Sequence, residues 1–212
     1  NYFFYDVGRQ LGIDKIAEYA TRFGLGQPTG IELPEETGHA ATPELKLELT
    51  GEEWVPGDTL QAAIGQQENQ FTPLQLANYT ATLANNGTRM KVNLVRAIKS
   101  ADFEETIYDR VPQVVEQIDS PDAFETVRQG MILASLPGGT SSATFGDYPI
   151  SVASKTGTPE TSAVMVNSTY ICFAPAEDPV IAVAVVIEKG WQGYTGPPVG
   201  KAVFGGYFLS EN

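Results

Sequence analysis

The sequence is poor in the residues that most often carry redox, metal or triad chemistry. It holds one cysteine and one histidine among 212 residues. The lone Cys172, inside the apolar stretch STYICFA, excludes an internal disulfide and reads as a buried, inert thiol. With no Cys/His cluster there is no recognisable metal site, and no cofactor is expected. A Ser-His-Asp triad would rest on His39 alone, which sits in a Gly/Thr/Ala loop and reads as an exposed loop residue. Basic residues are scarce as well, 13 against 26 acidic ones. The resulting net charge of −13 repels phosphate backbones and anionic headgroups, so nucleic acid is excluded as a partner. Long hydrophobic runs are missing. The longest, PVIAVAVVI from Pro179 to Ile187, is under half the roughly 20 residues a membrane-spanning helix requires. The N-terminus shows no charged-then-apolar leader pattern, so any anchor or signal is expected outside this chain.

What remains is a globular composition: 42% hydrophobic residues, with no repeat and no low-complexity tract, enough for a real core. The opening NYFFYDVGRQLG lacks an initiator methionine and carries Phe3, Val7 and Leu11 at helical spacing, as if cut inside a helix-bearing region. Two helices follow from the pattern, YFFYDVGRQL up to Gly12 and DKIAEYATRF with Asp14 as N-cap, the second stopped by Gly24. GQPTGIELPEETGHAATPE reads as an extended loop with one short strand, GIEL, and TLQAAIGQ as a short helix or strand. TPLQLANYTATLANNG is the surest helix, with Thr72 as N-cap, Pro73 in the first turn and NNG as its stop. MKVNLVRAIKS and QVVEQI read as strands. A further helix runs from Ser120-Pro121 to Pro137-Gly138-Gly139.

The last third changes to strand periods. YPISVASKTGT, STYICFAPA and PVIAVAVVIEK predict three consecutive antiparallel strands, with AEDP as the turn between the second and third. GWQGYTGPPVG reads as a loop and KAVFGGYFL as a closing helix. The sum is an α+β fold, an antiparallel β-sheet flanked by helices plus a helical portion. Residues 1–136 form the mainly helical part with short strands. Residues 137–212 hold the sheet strands and closing helix.

Within the first of those strands SKTGT stands out. Alternation places Thr156 and Thr158 on one face and Lys155 with Gly157 on the other. A lysine supplies fixed charge for an anion, and a strand glycine lets a ligand or backbone come close. If the strand is an edge, its free N–H and C=O groups can pair with a peptide and a spare N–H can stabilise an oxyanion. Carboxylate binding and acyl transfer on a peptide are the chemistry implied. Taken alone, K-T-G reads more simply as a strand end before a turn, since three-residue motifs recur by accident. Glu35-Glu36 and Glu52-Glu53 read as solvated acidic loops, because adjacent carboxylates lack the separation hydrolases use. Trp191 and Tyr194 either line a cleft beside the third strand or pack on the sheet edge.

Context raises the motif's weight, because K-T-G is the third element of the set used by serine-acylating penicillin-binding proteins and β-lactamases. The stretches NYFFYDVGRQLGIDKIAEYATRFGLGQPTGIELPEETG, AAIGQ, FTPLQLANYTATLANNGT, SKTGT and YICFAPAEDPVIAVAVVIE together resemble the C-terminal part of the transpeptidase domain of class B penicillin-binding proteins, of the penicillin-binding protein 2 type. That resemblance covers nearly the whole chain. It implies a peptidoglycan D,D-transpeptidase acting on D-Ala-D-Ala stem peptides, trapped by β-lactam antibiotics. It also implies cell-wall synthesis proteins as partners and a place on the extracytoplasmic face of the cell membrane. Asn1 would be the Asn of the S-x-N motif, bonding the substrate amide and the activating lysine. Lys155 would supply charge to the site and to the substrate or penicillin carboxylate. Thr156 and Thr158 would bond that carboxylate, Gly157 would admit the ligand, and the Thr158 N–H would be one oxyanion donor.

Two departures qualify the match. None of the seven lysines has a serine three residues before it, so the acylated serine and its lysine are absent and this chain alone is expected to be inactive. In GQQENQFTP, Gln67 stands where the family more often has a small residue. Three rivals stand beside the transpeptidase reading: a non-catalytic β-lactam-sensing or binding domain of the same fold, a class D-like β-lactamase, and a structural interaction module.

Overall fold

The computed structural model describes residues 1–160 and 166–209. Helices α1 (Tyr2–Leu11) and α2 (Ile13–Arg22) are separated by Gly12 at φ 82°, and Gly12 rather than Asp14 is the N-cap of α2. Asp14 lies in the first turn instead, where a carboxylate still favours the helix dipole. Gly24, at φ 83°, follows the Phe23 cap as the reading of the stop required.

The loop to residue 42 contains no strand at GIEL. The backbone N–H groups of Thr29 and Gly30 are taken by the Glu35 carboxylate, each at 3.0 Å, so the segment coils around a side chain instead of joining a ladder. Three helices follow: α3 (Pro43–Thr50), which the periodicity misses, α4 (Pro56–Ala62) and α5 (Pro73–Ala84). Thr72 and Gln75 form a reciprocal capping box at the start of α5. The buried Gln75 amide also donates to the Gln27 and Thr37 carbonyls, fastening the loop to α5.

MKVNLVRAIKS is two strands rather than one, β1 (Thr88–Met90) and β2 (Ala97–Lys99). Between them the backbone bonds change partner, Lys91 N–H going to Gln113 and Val92 N–H to Thr29. Strand β2 pairs with β3 (Thr106–Asp109) in an exposed hairpin, and β1 pairs with β4 (Val114–Gln117). Helix α6 (Pro121–Ser135) and the short α7 (Ser142–Phe145) lead into the main sheet.

That sheet runs β5 (Ala153–Gly157), β6 (Ser168–Ala174), β7 (Ile181–Ile187), antiparallel throughout and in chain order. Its two faces feed two cores. Tyr170, Cys172, Val183 and Val185 pack with Phe145 and Phe204, the latter on α8 (Gly196–Phe204). Phe173 and Ala153 pack on the other face with Leu83 of α5 and Phe124 and Met131 of α6. Strand β7 sorts its side chains accordingly, with Ala182 packed toward α5 and Val183 toward α8. The closing helix begins at Gly196, earlier than read from sequence, because Pro197 and Pro198 occupy its first turn, where no N–H is needed. It ends in a wider π turn, Gly205–Leu209. The chain is thus α+β, an antiparallel sheet between helical layers.

Candidate active site

Strand β5 has β6 on one side and no strand on the other among the described residues, so the edge reading of SKTGT holds. Beyond Gly157 the chain stays alongside the start of β6, with Asn167 N–H donating to the Pro159 carbonyl at 3.0 Å. The register sets the faces: Ser154 opposite Cys172, Lys155 opposite Ile171, Thr156 opposite Tyr170 and Gly157 opposite Thr169. Lys155 therefore stands on the α5/α6 face and Thr156 on the α8 face.

Lys155 is exposed, and its Nζ donates to the Thr156 carbonyl. Partial desolvation pushes its ammonium below the usual lysine range, and no carboxylate is paired with it among the described residues. A cation in that state lacks its own counter-ion and suits an incoming anion. Thr156 Oγ1 bonds Thr140 Oγ1 at 3.5 Å, in the turn after α6. The 3-10 turn Gly193–Thr195 covers the same face. A Cβ on Gly193 would lie 3.1 Å from Thr156 Cβ and 3.2 Å from Thr158 Oγ1. Gly157 has a neighbour that sequence spacing does not reveal, since a Cβ there would stand 2.2 Å from Thr169 Oγ1.

Asn1 stands at the start of α1. It is exposed ahead of α1, its side chain makes no capping bond, and no hydrogen bond among the described residues joins it to Lys155. Its position follows from α1, which crosses α4 so closely that a Cβ on Gly8 would fall 2.3 Å from Ala63 Cβ. Trp191 and Tyr194 are 79% and 66% exposed, so neither packs on the sheet edge. His39 is half-buried rather than a free loop residue, pairing its backbone with Gln70 in both directions at 2.8 and 2.9 Å. Burial pushes the Cys172 thiol up to about 12, in keeping with an inert cysteine. No group of three or more potential metal ligands occurs among the described residues. Two surface depressions lie away from β5, one between α5 and β7 and one between α2, α5 and α6.

A family model, the penicillin binding protein transpeptidase domain, matches residues 1–205. The chain belongs to the penicillin-binding protein transpeptidase family. The Haemophilus influenzae relative named peptidoglycan D,D-transpeptidase MrdA is 32% identical over 99% of this chain. Pseudomonas aeruginosa PBP2, solved in complex with WCK 5153, superposes with a TM-score of 0.83 at 31% identity, covering 100% of this chain and 47% of that one. Penicillin-binding protein A from M. tuberculosis, solved as an imipenem acyl-enzyme complex, gives 0.78 at 28% identity over 98% of this chain and 44% of that one. The chain spans 35% of the length of the H. influenzae relative. In this transpeptidase family member the K-T-G set is assembled on an edge strand, while the sequence contains no serine-x-x-lysine.

Proposed function

We propose that residues 1–212 are the C-terminal portion of a peptidoglycan D,D-transpeptidase domain, 1–136 supplying its mainly helical part and 137–212 the K-T-G sheet and closing helix. The observation that carries this is Lys155, a partly desolvated ammonium with no carboxylate partner among the described residues, on a strand edge that no other described strand covers, and followed by Gly157 and Thr158. Such an edge can receive an extended peptide through its backbone while the lysine holds the terminal carboxylate; the Thr158 hydroxyl, beside Gly193 on the Thr156 face, would reach that carboxylate only from the far side of the strand. Asn1 would bond the substrate amide. Thr156 supports the reading less directly, because its hydroxyl faces Thr140 on the opposite side of the strand from Lys155.

In this reading a serine on a Ser-x-x-Lys segment outside these residues attacks the carbonyl of the D-Ala-D-Ala bond. The Thr158 N–H helps hold the oxyanion, and the bond to the terminal D-Ala breaks with a proton delivered to its amine. The acyl-enzyme is then taken by an amine of a neighbouring stem peptide, regenerating the serine hydroxyl. β-Lactams acylate the same serine. No cofactor is called for. The working place is the outer face of the cell membrane, with the anchor outside these residues, beside other cell-wall synthesis proteins.

Fluorescent penicillin applied to the full-length protein tests this. Covalent labelling at one serine, weakened by Lys155→Ala, is expected, together with D-Ala release from a stem-peptide substrate. Absence of labelling overturns the proposal, and labelling without D-Ala release favours a β-lactam-sensing domain.

A further inference from the structure

Three hydroxyls from three different elements meet behind the K-T-G strand. Ser154 of β5, Ser135 at the end of α6 and Ser141 just before α7 are all essentially buried, at 0%, 3% and 2% exposure. Ser154 Oγ lies 2.8 Å from Ser135 Oγ and 3.2 Å from Ser141 Oγ. The turn that delivers Ser141 is built tightly. Ser141 N–H donates to the Ala134 carbonyl at 2.8 Å, and a Cβ on Gly139 would fall 2.3 Å from the Ala134 and Leu133 carbonyl oxygens. The same turn reaches β5 a second time, through Thr140 and Thr156. Residues 140 and 141 thus meet alternate hydroxyls on one face of β5, two residues apart, while Lys155 between them points to the other face. Among the described residues the K-T-G strand has a ladder partner on one side only, and this turn ties it down through two side-chain hydroxyls.

We propose that Ser154 is a positioning residue for K-T-G, holding the strand through its hydroxyl bonds to Ser135 and Ser141 so that Lys155 and the Thr158 N–H stay in their working places. The proposal rests on the transpeptidase reading of that strand. At this depth of burial these neutral hydrogen bonds compete little with solvent, and losing one leaves its partners unpaired. Three small hydroxyl side chains also add little apolar surface, so the cluster contributes direction more than bulk.

The test uses the full-length protein and the rate of acylation by a fluorescent penicillin, with the melting temperature measured alongside. Ser154→Ala is expected to slow acylation about tenfold, the scale of one buried hydrogen bond. Thr82→Val is the matched control, since Thr82 is a buried hydroxyl bonded to Asn78 within α5. It should lower the melting temperature comparably and leave acylation unchanged. If Ser154 works through its two partners, Ser135→Ala/Ser141→Ala slows acylation as much as Ser154→Ala, and the triple variant slows it no further. Acylation of Ser154→Ala at the wild-type rate, or losses that simply add in the triple variant, overturns the proposal. An unlabelled wild-type protein instead sinks the transpeptidase reading itself.

Discussion

Gly157 faces Thr169 across the β5–β6 ladder, at a separation that leaves no room for a methyl group: a Cβ at 157 would meet Thr169 Oγ1 at 2.2 Å and Thr169 Cβ at 3.5 Å. The glycine therefore has a neighbour inside the fold as well as the open side on which a ligand is proposed to lie. Gly157→Ala should lower the melting temperature, and adding Thr169→Ala, which removes the hydroxyl and keeps the Cβ at an ordinary contact, should restore it. Penicillin acylation should stay depressed in the double variant if the ligand lies against the residue 157 backbone closely enough to meet the methyl. Recovery of both properties together would leave the glycine with a purely structural role.

Lys155 sets up opposite effects on activity and stability. Partial desolvation lowers its pKa in the fold, so its charge costs stability in full below that folded value, and the cost fades as pH rises from the folded value to the unfolded one near 10.4. Anion recruitment needs the charge and is lost as pH rises through the folded value. Acylation should therefore fall on an alkaline limb that lies below the ordinary lysine range. Lys155→Arg should abolish the limb, and Lys155→Met should slow acylation roughly tenfold to a hundredfold at neutral pH, as for a charged hydrogen bond. The melting temperature of Lys155→Met at neutral pH should not fall.

Acid should loosen the α3–α4 region and the loop that Glu35 holds. Burial alone would raise Asp58, but bonds from Lys46 Nζ at 2.8 Å, from Val55 N–H at 2.8 Å and from Gln67 outweigh it and hold the carboxyl below its usual range. Glu35 is held down in the same way, burial being outweighed by the N–H groups of Thr29 and Gly30 and the Thr29 hydroxyl. Both contribute stability that is full above about pH 4, the unfolded carboxyl range, and is lost as pH falls through the folded values. Asp58→Asn should reduce stability at neutral pH, by leaving Lys46 without its anion, and should make the acid loss shallower. The indole of Trp54, bonded to Thr59 Oγ1 at 2.9 Å, is placed to report the change by fluorescence.

Two of the aromatic residues at the α8 face of the sheet should respond very differently to substitution. Phe204 is fully buried between Phe145 and Phe208, and Phe204→Ala should cost about 3–5 kcal/mol. The Tyr170 hydroxyl is buried without a well-aligned hydrogen bond, and burial keeps it neutral by raising its pKa. Tyr170→Phe should then change stability by less than about 1 kcal/mol, or raise it. Denaturant unfolding measures both, and a large loss in Tyr170→Phe would mean that its hydroxyl is part of the serine cluster beside it.

What the sequence made legible was local. Thr72-Pro73 announces the start of α5, Pro137-Gly138-Gly139 ends α6, and the strand periods of β5 to β7 give the antiparallel sheet, while the edge position of the strand that carries Lys155 was a condition that the structure supplies. The elements that escaped depend on distant partners. Helix α3 has almost no apolar face, and its Lys46 is held by Asp58 from the next helix. GIEL has strand-forming side chains, but Glu35 claims the backbone groups a ladder would need. Gly157 is separated from Thr169, and Ser154 from Ser135, by more residues than any local pattern spans. For Trp191 and Tyr194 the sequence left two alternatives open, and of these the exposure of both rings removes packing on the sheet edge.

The Gly8 and Ala63 contact gives α1 a fulcrum. Asn1 sits seven residues from it, about 10 Å along the helix axis at 1.5 Å per residue. A tilt too small to break the crossing is magnified at that far end, so a single added methyl at position 8 would swing the asparagine without touching it. The direction in which the chain leaves α1 at Asn1 is therefore set at the pivot, by the one residue of the helix without a side chain.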